Sequence, residues 1–128
     1  MAGKRMLADV PDADVIIINP THFSVALKYN EDEVAPVVVA KGVDHLALKI
    51  REVGKDSDVA IFSAPPLARS LYRHTEVGES IPSDLYLAVA QVLAYVMQVK
   101  KLSFPDRRRL VEPTDLPIPD SLLVPKDE

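Results

Sequence analysis

A four-residue segment, Asn19 to His22, separates two runs with the pattern of β-strands and sets the strongest limit on the possible fold. The run before it, Val15 to Ile18, consists of β-branched residues and is typical of a strand covered on both faces. The run after it, Phe23 to Tyr29, alternates with the period of a half-buried strand. Because an Asn-Pro pair favours a turn, the sequence predicts two neighbouring strands of one sheet joined by a tight turn.

The bond between Asn19 and Pro20 also offers an intramolecular reaction. The prolyl nitrogen carries no hydrogen, so it cannot attack the asparagine side chain as an ordinary backbone nitrogen would. The carboxamide nitrogen of Asn19 can instead attack its own backbone carbonyl, form a succinimide and release Pro20 as a new amino terminus. The residue before proline favours extended backbone conformations, so fewer conformations of Asn19 compete with the one in which the reaction can occur. Two interpretations stay open at this point: an ordinary turn and a site of self-cleavage.

Length and composition indicate one globular domain. The chain has 128 residues, of which 48% are hydrophobic and 27% charged, and this is enough to bury a core. A net charge of -4 argues against a nucleic-acid-binding protein that works through bulk positive charge. The absence of cysteine excludes disulfides, thiol nucleophiles and cysteine zinc sites. The most apolar stretch, Leu85 to Val99, is shorter than a membrane span.

The remaining pattern predicts an α/β fold, a single domain with a small mixed sheet of about four strands packed by helices. Two further strands are predicted, at Val37 to Ala40 and at Val59 to Phe62. Three helices are predicted: Asp44 to Val53 with Gly54 as its stop, Pro65 to about Arg73, and Pro82 to about Lys101.

The predicted domain spans residues 15–103, between two segments with little regular structure. Residues 1–14 are predicted to be a flexible linker. The prolines in residues 104–128 predict an extended, loosely held tail, partly in the polyproline II conformation.

The last predicted helix has an apolar surface that is too wide for one buried stripe. Its core face is predicted to consist of Leu85, Val89, Val92, Leu93 and Val96. A second strip, made of Ala90, Ala94 and Met97, extends beyond this face. The strip either meets another helix, packs against the C-terminal tail, which the sequence favours, or stays exposed as a docking surface.

Sequence motifs of turnover enzymes and of cofactor-binding proteins are absent. The four glycines are isolated, so the chain has no glycine-rich phosphate loop. The three histidines lack the spacing of metal ligands on one helix, and no serine lies in a Gly-x-Ser-x-Gly elbow. The sequence therefore predicts no metal, no cofactor and no turnover enzyme, which leaves the Asn19-Pro20 junction as its one chemically suggestive feature.

The stretch from Asp14 to Tyr29 reads DVIIINPTHFSVALKY, and it resembles the cytoplasmic domain of the FlhB/YscU family. These proteins are the self-cleaving export-switch proteins of type III secretion systems. The resemblance continues through VAKG at 39–42, APPLAR at 64–69, LYRH at 71–74 and Ile81-Pro82, so it covers roughly residues 6–101. The APPL and IPSDLY runs look more like the flagellar branch than the injectisome branch.

The resemblance implies that the bond between Asn19 and Pro20 breaks autocatalytically, in a single intramolecular event. Asn19 would be the nucleophile and Pro20 the leaving group. Thr21 and His22 would orient the turn or assist proton transfer, a role that histidine side chains commonly take. The two pieces would stay associated because each contributes a strand to the sheet. Cleavage would then be a condition for switching from early rod-and-hook substrates to late filament substrates.

The resemblance also implies a shallow docking pocket for early export substrates, and the matching positions are Ala35, Pro36, Ala90 and Leu93. The partners would be flagellar export substrates and other export-gate proteins, with no nucleic acid, at the cytoplasmic face of the bacterial inner membrane. Such proteins carry membrane-spanning helices upstream, so the chain is expected to be an excised domain or a free-standing homologue. The competing hypothesis is a non-cleaving protein-interaction module in which Asn19-Pro20 is only a turn.

Overall fold

The computed structural model describes residues 2–20, 22–102 and 109–126 and contains a four-stranded mixed sheet with the order β3-β2-β1-β4. The strands are β1 (Val15–Asn19), β2 (Phe23–Lys28), β3 (Val37–Val43) and β4 (Ala60–Ser63). Strand β2 pairs antiparallel with both β1 and β3, whereas β4 pairs parallel with β1. Four helices accompany the sheet: α1 (Ala2–Asp9), α2 (Asp44–Asp56), α3 (Pro65–His74) and α4 (Tyr86–Lys101). The predicted α/β fold is confirmed.

Strand β1 lies between two hydrophobic clusters, one on each face of the sheet. Val15 and Ile17 belong to the first cluster, which contains the buried hydrophobic residues of α3 and α4. Ile16 and Ile18 belong to the second cluster, which contains Ile50 of α2. Because successive side chains of a strand point to opposite faces, this run of β-branched residues is buried on both sides, as its lack of polar alternation predicts.

Helix α2 extends past the glycine that was predicted to end it. Gly54 lies inside the helix and is buried, and a Cβ atom at this position would overlap Cδ1 of Ile16. The glycine therefore allows the helix to approach β1 closely. The prediction of a stop at Gly54 is wrong because the missing side chain serves packing between helix and sheet, and the chain turns only at Asp58, which has a φ of 60°.

The N-terminal residues are part of the fold, and the prediction of a flexible linker over residues 1–14 does not describe them. Helix α1 and a short 3-10 turn, Val10–Asp12, precede β1. Val10 is fully buried in the second cluster, and Met6 and Leu7 pack against that cluster. The spacing of these apolar residues is helical, and it is the signal that identifies this segment as an ordered element.

The C-terminal segment crosses α3 and is held there by side chains of that helix. The Nε of Arg69 donates a hydrogen bond to the Val124 carbonyl at 3.2 Å, and the Ser70 hydroxyl donates to the Leu122 carbonyl at 2.9 Å. Leu116, Ile118 and Leu122 pack against the first cluster. The segment is mostly irregular, as its prolines predict, but it is fixed to α3 rather than loosely held.

Helix α4 buries the predicted core face and leaves the second apolar strip open. Val89, Val92, Leu93 and Val96 of α4 are all buried, and so is Leu85, which lies in the 3-10 turn that precedes the helix. Ala90, Ala94 and Met97 are exposed, since the described part of the C-terminal segment follows α3 instead. The prediction that the tail covers this strip is therefore wrong. None of the helices within the described ranges combines the length and the apolar character needed to cross a membrane.

Candidate functional site

Asn19 and Pro20 lie at the tip of the β1–β2 hairpin. Asn19 is the last residue of β1 and pairs with Phe23, the first residue of β2. The His22 N–H donates a hydrogen bond to the Asn19 backbone carbonyl at 2.9 Å. This bond joins residues three apart, as in a β-turn, with Pro20 in the second position, where its fixed φ is favoured. The predicted tight turn between two strands of one sheet is confirmed.

Among the described residues, the turn is held by a backbone hydrogen bond, and the side chains of Asn19 and His22 do not contribute one. Asn19 is half-buried, whereas Pro20 and His22 are exposed. Neither the Asn19 carboxamide nor the His22 imidazole makes a side-chain hydrogen bond to another residue in the described ranges. Thr21, which was predicted to orient the turn, lies outside the described residues. The roles assigned to the Thr21 and His22 side chains therefore stay predictions.

The strand that follows the turn is anchored to α3 by an aromatic contact. The ring of Phe23, which is 9% exposed, lies 4.9 Å from the ring of Tyr72, measured between centroids. The Lys41 ammonium lies 4.6 Å from the centroid of the same Tyr72 ring and donates a hydrogen bond to the Tyr72 carbonyl at 2.9 Å. It also pairs with Glu76 at 3.3 Å. These contacts connect the hairpin to β3 and α3 and limit its movement.

A second candidate site is an apolar groove of about 360 Å³ beside α4. We call it the α4 groove, and its lining residues are Tyr29, Val34, Pro36, Tyr86, Ala90, Leu93, Ala94 and Met97. Three of the four predicted docking residues, Pro36, Ala90 and Leu93, line it together. The fourth, Ala35, is 2% exposed and belongs to the first core cluster, so it does not line the groove.

Three lining residues of the α4 groove were missed by reasoning from sequence. Tyr29 follows β2 directly, Val34 lies in the loop before β3, and Tyr86 is the first residue of α4. Val34 is 88% exposed although it is apolar, and Met97 is 47% exposed. An isolated valine in an acidic loop was the one available sequence signal for this surface.

Metal-binding and ionisable groups do not define either candidate site. No group of three or more acidic or histidine side chains in the described part of the chain could hold a metal ion.

Another contact of α4 involves Tyr95 and the C-terminal segment. Burial raises the pKa of Tyr95, and the neighbouring Glu112 carboxylate raises it further. This contact joins the C-terminal segment to α4 on the side where Tyr95 also packs against Phe62.

Comparison with known proteins identifies the family of this chain. Residues 1–96 match the model of the FlhB HrpN YscU SpaS family. The chain belongs to this family. It is 56% identical over 122 residues to the flagellar biosynthetic protein FlhB of Escherichia coli (strain K12), and the match covers 94% of this chain and 32% of that protein. It is 51% identical over 102 residues to the Bacillus subtilis (strain 168) protein of the same name, covering 79% of this chain and 28% of that protein. The chain thus spans about a third of the length of these relatives.

Solved structures of family members have the same fold. The cytoplasmic domain of FlhB from Shewanella putrefaciens is 49% identical and superposes with a TM-score of 0.87 over 95% of both chains. The C-terminal domain of EscU with an asparagine-to-alanine substitution is 28% identical, with a TM-score of 0.68 over 78% of this chain and 96% of that one. A proline-to-alanine variant of EscU is 31% identical, with a TM-score of 0.66 over 70% of this chain and 89% of that one. The family resemblance of the sequence is therefore confirmed.

Proposed function

We propose that this chain is a self-cleaving switch and docking domain of the flagellar type III protein export apparatus. The observation that carries the proposal is the position of Asn19-Pro20 at the tip of a hairpin whose two strands lie side by side in the sheet. Family membership supports the same assignment. In the complete protein, the domain would act at the cytoplasmic face of the bacterial inner membrane, with export substrates and other export-gate proteins as partners.

The proposed reaction is a cyclisation of Asn19. The carboxamide nitrogen attacks the backbone carbonyl carbon, the bond from that carbon to the Pro20 nitrogen breaks, and a succinimide forms at the end of the first fragment. One proton leaves the carboxamide nitrogen and one is taken up by the Pro20 nitrogen. The carbonyl oxygen becomes an oxyanion on the way, and the His22 N–H that already donates to it stabilises this charge. The side chains of Thr21 and His22 would assist the proton transfer.

The two fragments are expected to stay together after the cut. The first fragment contributes β1, which pairs with both β2 and β4. Val15, Ile16 and Ile17 of this strand are fully buried. Burial of each such side chain stabilises by about 1.5–3 kcal/mol, so packing rather than the covalent link holds β1 in place. Cleavage would free the hairpin tip to move without unfolding the domain, which is what a switch requires.

The α4 groove supports the docking part of the proposal. Its exposed apolar lining matches an apolar segment of an early export substrate, because contiguous apolar surface of this kind marks interaction sites. The α4 groove would then recognise substrates, and the turn at Asn19-Pro20, which we call the cleavage turn, would act as the switch. The competing hypothesis of a non-cleaving interaction module uses the groove alone.

Intact mass measured under denaturing conditions tests the cleavage. We expect two fragments, residues 1–19 and residues 20–128, that elute as one species under native conditions. Replacing Asn19 by Ala should abolish the cut and preserve the fold, because alanine has no amide to attack with. Asn30→Ala, at an exposed asparagine in the loop after β2, is the matched control and should cut like the wild type. A single persistent chain after prolonged incubation would favour the non-cleaving module.

A further inference from the structure

Asp44 occupies an unusual backbone conformation beside the cleavage turn. It begins α2 directly after β3, and its φ of 49° lies in the left-handed region. This region is disfavoured for L-residues and is tolerated best by glycine, asparagine and aspartate. Val43, the preceding residue, pairs with Phe23 in the sheet, which places the start of α2 next to the hairpin tip.

Two backbone hydrogen bonds connect Asp44 with the carbonyl of the Asn19-Pro20 bond. The Asp44 N–H donates to the His22 carbonyl at 3.0 Å, and the His22 N–H donates to the Asn19 carbonyl at 2.9 Å. Both backbone polar groups of His22 are therefore fixed, although its side chain is exposed. We call these two bonds the backbone clamp. Because the clamp ends on the oxygen that would carry the charge of the transition state, its geometry bears on the cleavage rate.

We infer that Asp44 is a positioning residue for the cleavage reaction, and this inference rests on the proposed self-cleavage. Its left-handed backbone directs its N–H to the His22 carbonyl, and this holds the His22 N–H on the carbonyl oxygen of Asn19. The property required at position 44 is tolerance of positive φ rather than negative charge. A β-branched residue resists this conformation, so it loosens the clamp.

The chain contains a matched control for this inference. Asp58, in the turn between α2 and β4, has a φ of 60°, and its N–H donates to the Lys55 carbonyl, away from the hairpin. Asp44→Val and Asp58→Val therefore impose the same backbone strain at two places, and only the first touches the clamp. Asp44→Asn and Asp44→Gly keep the tolerance of positive φ and remove the charge.

The cleavage rate is measured by pulse-chase during cell-free synthesis of the full chain, with the thermal midpoint of each variant measured in an Asn19→Ala background. We expect Asp44→Val to cut about tenfold more slowly than the wild type, because a displaced oxyanion donor loses part of its effect. Asp58→Val should cut at the wild-type rate with a similar drop in thermal midpoint, and Asp44→Asn and Asp44→Gly should restore the rate. Equal slowing in both valine variants would overturn the inference, since loss of stability would then explain it.

Hydrogen exchange of the His22 amide, also in the Asn19→Ala background, tests the clamp without cleavage. We expect Asp44→Val to increase this exchange rate severalfold relative to Asp58→Val. Unchanged His22 protection in Asp44→Val would reject the clamp even if cleavage slowed. If the wild-type chain is never cut, the proposed self-cleavage fails, whereas the exchange experiment still accepts or rejects the clamp.

Discussion

The two candidate sites lie at opposite ends of β2 and are built in different ways. The Asn19-Pro20 turn, where cleavage is proposed, precedes Phe23 and is closed by backbone hydrogen bonds of Asn19, His22 and Asp44. The α4 groove begins at Tyr29, beyond the other end of the strand, and is formed by side chains from three segments of the chain. A strand of this length spans roughly 20 Å, so the sites are separate.

This difference corresponds to what each site is proposed to do. A reaction within one residue needs its carbonyl and its hydrogen-bond donor in a fixed geometry, and backbone groups in a sheet supply that geometry. Docking of varied segments needs exposed apolar surface that can adapt, and Met97 is a flexible side chain of this kind. Substitutions at the turn should therefore affect cleavage without affecting docking, and substitutions at the α4 groove should do the reverse.

The largest expected effect is on the strand that supports the turn. Ile17→Ala removes a fully buried side chain of β1 and should lower the free energy of unfolding by about 2–5 kcal/mol. In the cleaved protein, it should also release residues 1–19 on dilution, as measured by size-exclusion chromatography and intact mass. Ile61→Ala on β4 is the control, because Ile61 is 38% exposed. Equal losses in the two variants would contradict the claim that packing of β1 holds the fragments together.

A smaller effect on stability and a large effect on binding are expected at the α4 groove. Leu93 is 8% exposed and belongs to the core, so Leu93→Ala should cost about 2–3 kcal/mol and is an ambiguous probe of docking. Ala90→Asp changes an exposed residue inside a helix, so the free energy of unfolding should change by less than about 1 kcal/mol. It should weaken binding of a purified hook-type substrate about tenfold, since a charge in the groove loses solvation on docking. Cleavage should be unaffected.

Gln91→Asp provides the control for the groove, because Gln91 is exposed on α4 but does not line the groove. It adds the same charge one residue away and should bind the substrate like the wild type. Equal weakening by both aspartates would indicate a general effect of charge on α4 rather than docking in the groove.

The smallest expected effect is on the contact between β2 and α2. The Ser24 hydroxyl donates a buried hydrogen bond to the Ala47 carbonyl at 2.9 Å. In the Asn19→Ala background, Ser24→Ala should lower the free energy of unfolding by about 1 kcal/mol, measured by denaturant titration, and should leave substrate binding unchanged. Ser83→Ala, at an exposed serine before α4, should change neither quantity. Reduced substrate binding in Ser24→Ala would show that the two ends of β2 are coupled.

The hydrophobic periodicity of the sequence predicted most of the strands and helices, because the pattern of each element lies within its own residues. The β-branched run of β1 and the core stripe of α4 were confirmed, because side-chain periodicity reflects which faces are buried. The prediction that β2 is half-buried was wrong, because α2 covers its second face and Ser24 and Ala26 are also fully buried. The prediction was wrong at a glycine, because this residue type can either end a helix or allow close packing within one. Glycine often ends a helix, but Gly54 lies inside α2, where its missing side chain leaves room for the side chain of Ile16. The apolar residues around Val10 were overlooked because the polar residues and Pro11 near them suggested a linker.

The hairpin with Asn19-Pro20 at its tip, and the chemistry open to that bond, could be predicted from the sequence because they depend on neighbouring residues. The path of the C-terminal segment across α3, which leaves the α4 groove open, and the burial of Ala35 in the core became evident only in the folded chain. Folding also brings Asp44 to His22, although 22 positions separate them in the chain. Contacts of this kind depend on the path of the whole chain, since a local pattern shows that a face is buried without showing what buries it.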